Sequence, residues 1–115
     1  MISSERITYM NGDFIPESEA KVHFRDRSFK YGDGVFDMTR TFGHKIFKIE
    51  EHVERLYKSL NYLDIKLDLP PKKMVEISKE VLQRNLPLIK KDEDYWVGQR
   101  ISRGVDRVGG EQWDL

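Results

Sequence analysis

The chain has 115 residues, 38% hydrophobic and 35% charged, which suits one modest domain around a single core. Its 20 basic and 20 acidic side chains cancel, so net charge gives no reason to expect nucleic acid or an anionic membrane as partner. The absence of cysteine excludes disulfides and thiolate metal sites, and no apolar run resembles a membrane span or signal-peptide core, so a cytoplasmic protein is expected.

In chain order, Arg6 to Met10 reads as a strand. Asn11-Gly12 follows it and is a strong hairpin signal, because both central positions of a mirror-image turn require positive φ. Asp13 to Ile15 pairs back, and Pro16 ends the pairing by removing a backbone donor. Glu17 to Arg25 is a polar connection in which Lys21 to Phe24 is expected to add a short strand. The stretch from Asp26 to Arg40 begins charged and passes through Gly32-Asp33-Gly34, a turn free of Cβ crowding. It then becomes a strand over Val35 to Phe42, which turns at Gly43-His44 and returns over Lys45 to Lys48.

The period then changes from two to 3.6. Ile49, Val53, Leu56, Leu60 and Leu63 share a helix face with Tyr57 at its edge, and Glu50 and Glu51 suit the first turn. That helix is expected to end between Tyr62 and Asp64. Pro71 can open a second helix whose stripe is Met74, Ile77, Val81 and Leu82, ended by Asn85 and Pro87. A charged link, Lys90 to Asp94, leads to a strand over Tyr95 to Ser102 and a glycine-rich loop over Arg103 to Gly110, after which a further strand is expected. Hairpins followed by a block of helices predict an α+β fold, an antiparallel sheet of hairpins with two helices packed on one face.

Several arginines lie near the glycine turns. Strand parity puts Phe36, Met38 and Arg40 on one face and Val35, Asp37, Thr39 and Thr41 on the other. Arg40 either snorkels at the sheet edge or meets a carboxylate ligand. Tyr31 is either a packing residue or part of a pocket wall. Arg55 is either a solvated arginine paired with Glu51 at i−4 or an anion clamp whose fork matches phosphate. Arg100, Arg103 and Arg107 surround the late strand and its loop, whose backbone amides could hold an anion. His23, His44 and His52 lack metal-ligand spacing, and Gly32-Asp33-Gly34 leads into a strand, so it is no dinucleotide fingerprint. Residue chemistry alone thus reaches a small domain suited to an anionic ligand.

The run Asp26-Arg27-Ser28-Phe29-Lys30-Tyr31-Gly32-Asp33-Gly34-Val35-Phe36-Asp37, then Thr39-Arg40, Lys45-Ile46-Phe47 and Glu51-His52-Val53-Glu54-Arg55-Leu56, resembles the class IV aminotransferases, the fold-type IV pyridoxal-phosphate enzymes. The group includes branched-chain and D-amino-acid aminotransferases, R-selective amine transaminases and aminodeoxychorismate lyase. The resemblance runs from about Arg6 to Gly110. It implies that residues 1–115 are the small N-terminal domain of such an enzyme and that the cofactor-lysine domain lies beyond them. It implies pyridoxal 5′-phosphate as cofactor, with Arg55 binding its phosphate. Tyr31, Phe36 and Arg40 would border the substrate pocket, Ser102-Arg103-Gly104 would introduce the pocket loop, and Arg107 would be a carboxylate-binding arginine.

The substrates implied are an amino acid or amine and a 2-oxo acid, and the complete enzyme is expected to be a homodimer. The lysine that forms the Schiff base has no counterpart here, so no catalytic residue is assigned and the chain alone is expected to be inactive. A lyase of the same cofactor class and a stand-alone anion-binding or assembly domain are the alternatives.

Overall fold

A computed structural model describes residues 5–106 and 113–114. The elements in order are β1 (Ile7–Met10), β2 (Asp13–Pro16), α1 (Arg27–Tyr31), β3 (Gly34–Phe42), β4 (Lys45–Ile46), α2 (Ile49–Tyr62), α3 (Pro71–Asn85), β5 (Trp96–Ser102), β6 (Val105–Asp106) and β7 (Trp113–Asp114). Strands β4, β3 and β5 form an antiparallel sheet in that order, while β1–β2 and β6–β7 are separate two-stranded ladders. The architecture is α+β, with both long helices on one face of the central sheet. No helix among the described residues is long and apolar enough to cross a membrane.

Both hairpin turns form where their sequences place them. Asn11 and Gly12 take φ of 51° and 97°, and Gly43 and His44 take 58° and 67°, the double positive φ of a mirror-image turn. Helix α2 buries Ile49, Val53, Leu56 and Leu60 of the expected stripe, while Leu63 falls just past its end and is half-buried. Ile49, Val53 and Leu56 pack with Met74 of α3 and with Val35 and Ile101 of the sheet. Helix α3 departs from expectation. Its buried row is Met74, Ser78, Leu82 and Asn85, with Ile77 and Val81 only half-buried.

Two polar residues enter that row because each has a specific partner. Ser78 Oγ donates to the Met74 carbonyl and accepts from Gln99 Nε2 of β5 at 2.9 Å. Asn85 accepts from the Ile7 amide and donates to the Ile7 carbonyl, both at 2.8 Å. Its side-chain amide acts as a strand edge for β1. This is how the first hairpin, which does not join the central sheet, is held to the domain.

Two further expectations are corrected. Lys21 to Phe24 forms no strand, because the Asp26 amide donates to the His23 carbonyl and the Arg25 amide to His23 Nδ1, which curls the chain into a turn. The segment before Gly32 is a short helix, α1, where only a charged lead-in to the turn was expected. Asp26 caps α1 by accepting from the Ser28 and Phe29 amides, and Gly32, at φ 68°, closes it in the left-handed conformation.

Candidate active-site wall

The inner face of β3 carries its polar residues. Asp37, Thr39 and Thr41 are buried, whereas Phe36, Arg40 and Phe42 are exposed. The side chains of these three buried polar residues of β3 are hydrogen-bonded, as burial requires. Thr39 Oγ1 donates to the Phe47 carbonyl at 2.6 Å, and Thr41 Oγ1 donates to Asp94 Oδ1 at 2.6 Å. Asp94 also accepts from the His44 amide, so it ties the β3–β4 turn to the segment before β5.

Asp37, only 5% exposed, lies under α2. Arg55 Nε donates to its Oδ2 at 2.7 Å and Arg55 Nη2 to its Oδ1 at 2.9 Å, a bidentate pair. His52 Nδ1 is 2.6 Å from the same Oδ1. An ionised carboxylate only accepts, so Nδ1 must carry the hydrogen. The 3.3 Å approach of Arg55 Nη2 to that nitrogen is therefore a contact and no hydrogen bond.

Arg55's hydrogen bonds pull the Asp37 carboxyl down from 3.8 to about 2, against the upward push of burial and with help from His52. Because the folded value lies below the ordinary one, the stabilisation is whole above that ordinary value and is lost as pH falls from about 4 through about 2. It amounts to about 2 kcal/mol. Urea unfolding at about pH 5 and about pH 2 is expected to show the parent losing about that much more than Asp37→Asn. Equal losses in the two proteins would remove the assignment.

A second carboxylate organises the start of β3. Asp33 Oδ2 accepts from Arg27 Nε and Arg103 Nε, each at 2.8 Å. Arg103 also donates from Nη2 to the Leu63 carbonyl at 2.7 Å. Burial pushes the Asp33 carboxyl up, but the two guanidiniums outweigh it and hold it below its usual value. This hub joins α1, β3, the end of α2 and the end of β5. Asp26 Oδ1 adds a hydrogen bond from Ser102 Oγ at 2.8 Å. The loop after β5 thereby commits amides that could have held an anion: Arg103 N donates to the Asp33 carbonyl and Gly104 N to Ser102 Oγ.

Of the residues singled out from the sequence, Tyr31 ends α1 and is 61% exposed, with the Arg27 guanidinium 5.0 Å and the Lys30 ammonium 4.9 Å from its ring centre. Phe36 is 64% exposed and pairs across the sheet with Arg100, whose guanidinium lies 5.2 Å from the Phe36 ring centre. Arg40 shares that face but is committed locally. Its Nε donates to the Thr41 carbonyl at 3.0 Å, Nη2 lies 3.6 Å from Asp94 Oδ2, and the guanidinium stacks 4.1 Å from the Phe42 ring centre.

Arg55 approaches β3 from the opposite side, through Asp37, and its partner is this strand residue rather than Glu51. Arg107 lies outside the described residues. Sequence reading missed Asp37 and His52. The available signal was the i,i+3 spacing of His52 and Arg55, which puts both on one side of α2, above a strand face that carries a lone carboxylate.

Residues 34–89 match the family model described as Amino-transferase class IV. A D-alanine aminotransferase of Staphylococcus aureus (strain N315) is 34% identical over 77 residues, covering 67% of this chain and 27% of that protein. A protein of Methanocaldococcus jannaschii, provisionally named a branched-chain-amino-acid aminotransferase, is 35% identical over 101 residues, covering 88% of this chain and 33% of that protein. The structure of a T.th. branched-chain amino acid aminotransferase complexed with N-(5′-phosphopyridoxyl)-L-glutamate superposes with a TM-score of 0.66 at 26% identity, covering 82% of this chain and 40% of that one.

The chain belongs to the class IV aminotransferase family, whose members depend on pyridoxal 5′-phosphate. Its α+β fold is that of the matched part of the fold-type IV enzymes. It spans between about a quarter and a third of the length of these two relatives, 27% of one and 33% of the other.

Proposed function

We propose that this chain is the small N-terminal domain of a pyridoxal-5′-phosphate-dependent transaminase that moves an amino group between an amino acid or amine and a 2-oxo acid. The observation that carries this reading is Arg55 in its His-x-x-Arg-Leu context, held at one edge by Asp37 with its side chain 66% exposed. A planar, permanently charged guanidinium with one edge fixed and the other end toward solvent suits a phosphate monoester, so the donor chemistry fits the cofactor.

In this reading Arg55 binds the cofactor phosphate. Tyr31 and Phe36 present aromatic surface that excludes water from the reacting centre, and Arg40 and Arg107 supply positive charge for substrate carboxylates. When bound, the cofactor supplies a carbonyl that takes up the amino group and a conjugated ring that accepts electrons. The lysine that would carry the proton belongs to a segment outside this chain, and the complete enzyme is a cytoplasmic homodimer.

The test is to mix the chain with pyridoxal 5′-phosphate, reduce with borohydride and map the products by mass. Only scattered, substoichiometric adducts on surface lysines are expected. A stoichiometric adduct on a single lysine of this chain would overturn the reading, because the chain would then carry its own catalytic amine.

A further inference from the structure

The Asp37 carboxylate is a costly choice for its position. It lies on the inner face of β3, two residues from Val35, which packs against the core cluster of Ile49, Val53, Leu56 and Met74. A buried ion pair is commonly no more stable than an apolar replacement of similar size, so stability alone is a weak reason for a carboxylate there. What it achieves is orientation. Arg55 is an exposed side chain on a helix surface, where an arginine ordinarily samples many rotamers. Here its Nε–Nη2 edge is held by Asp37, while Nη1 makes no hydrogen bond among the described residues. The nearer acid at i−4, Glu51, would have tied Arg55 only to its own helix. Asp37 ties it to the strand that carries Phe36 and Arg40. His52, through Nδ1–H, holds the same carboxylate oxygen that receives Arg55 Nη2.

We infer that Asp37 and His52 are positioning residues that lock the Arg55 guanidinium in register with β3 and present its free end to a phosphate monoester. The inference rests on the reading of Arg55 as the phosphate-binding residue and adds the two residues that orient it. The carboxylate also offsets part of the arginine's charge. Two effects therefore oppose each other: Asp37 lowers the attraction for an anion and removes the entropy cost of ordering the side chain. Attraction at an exposed site is screened by water and salt, so ordering is expected to dominate.

The test uses the full chain with nitrogen-15 arginine labelling, following the Arg55 Nε–H resonance while pyridoxal 5′-phosphate, or inorganic phosphate alone, is added. The parent is expected to show a slowly exchanging Arg55 Nε–H. Asp37→Asn and His52→Ala should each speed that exchange and weaken binding of the probe by about fivefold. His52→Asn, whose side-chain N–H can stand where Nδ1–H stood, should restore both. Should His52→Ala fail to fold, Asp37→Asn and His52→Asn carry the comparison. Unchanged exchange and affinity in the variants would overturn the positioning role. Faster exchange in the variants, with no binding of either probe by the parent, would uphold the positioning and overturn the phosphate reading instead.

Discussion

Replacing Gly34 with alanine is expected to destabilise the chain by about 3 kcal/mol. A Cβ there would lie 2.6 Å from the Ile101 carbonyl oxygen and 2.9 Å from Ser28 Oγ. The serine hydroxyl can rotate away, but the carbonyl cannot, because Ile101 is fixed in the β3–β5 ladder by the Val35↔Ile101 and Gly34↔Ser102 pairs. Either the first pairs of the ladder must open or β3 must move from β5.

Gly32 is the internal control. It takes a left-handed φ of 68°, yet nothing lies within 4 Å of its absent Cβ, so Gly32→Ala should cost only about 1 kcal/mol of backbone strain. Urea unfolding of the two variants decides the matter. If Gly34→Ala were no more damaging than Gly32→Ala, the close approach would not constrain the strand. The functional consequence follows from position. Tyr31 precedes this turn and Phe36 follows it, so a shift at Gly34 moves the two aromatic walls relative to each other.

In the complete enzyme, Arg55→Ala is expected to weaken retention of pyridoxal 5′-phosphate by at least about tenfold while leaving the fold in place. The guanidinium is largely exposed and contributes nothing to the Leu56–Val53–Ile49 core, so its removal opens no cavity. The variant does strip Asp37 of its strongest partner, which is why Arg55→Lys belongs beside it. Lysine keeps the positive charge but cannot reproduce the two-point pairing with Asp37. It should therefore retain the fold and an intermediate cofactor affinity. Dialysis followed by cofactor absorbance measures occupancy, and far-ultraviolet circular dichroism checks the fold. Equal occupancy in Arg55→Ala and parent would remove Arg55 from the site.

Arg40, Arg55, Arg100 and Arg103 divide into three kinds by what they touch. Arg103 closes the domain through Asp33 and the Leu63 carbonyl. Arg40 and Arg100 lie over aromatic rings on the outer face of the sheet. Arg55 alone among these reaches the buried face of β3 and also meets solvent. Equal sequence chemistry thus performs three different tasks.

What the amino-acid order by itself determined was local. The two mirror-image turns follow from residues that accept positive φ, and α2 follows from an apolar stripe whose period matches the helix. The motif around Tyr31, Gly34 and Arg55 was legible for the same reason, since its residues are contiguous or share one helix.

Tertiary structure decided the rest. Parity sorted β3 into two rows but could not say which row the helices would cover. Packing of α2 and α3 selected the polar one, burying Asp37, Thr39 and Thr41 and exposing Phe36 and Arg40. Asp37 meets Arg55 across 18 residues of chain, and Asn85 meets Ile7 across 78. Such pairs leave no periodic trace, because each depends on where two separate elements come to rest. The orientation of Arg55, on which the proposed phosphate site depends, is therefore a property of the folded sheet and helix together.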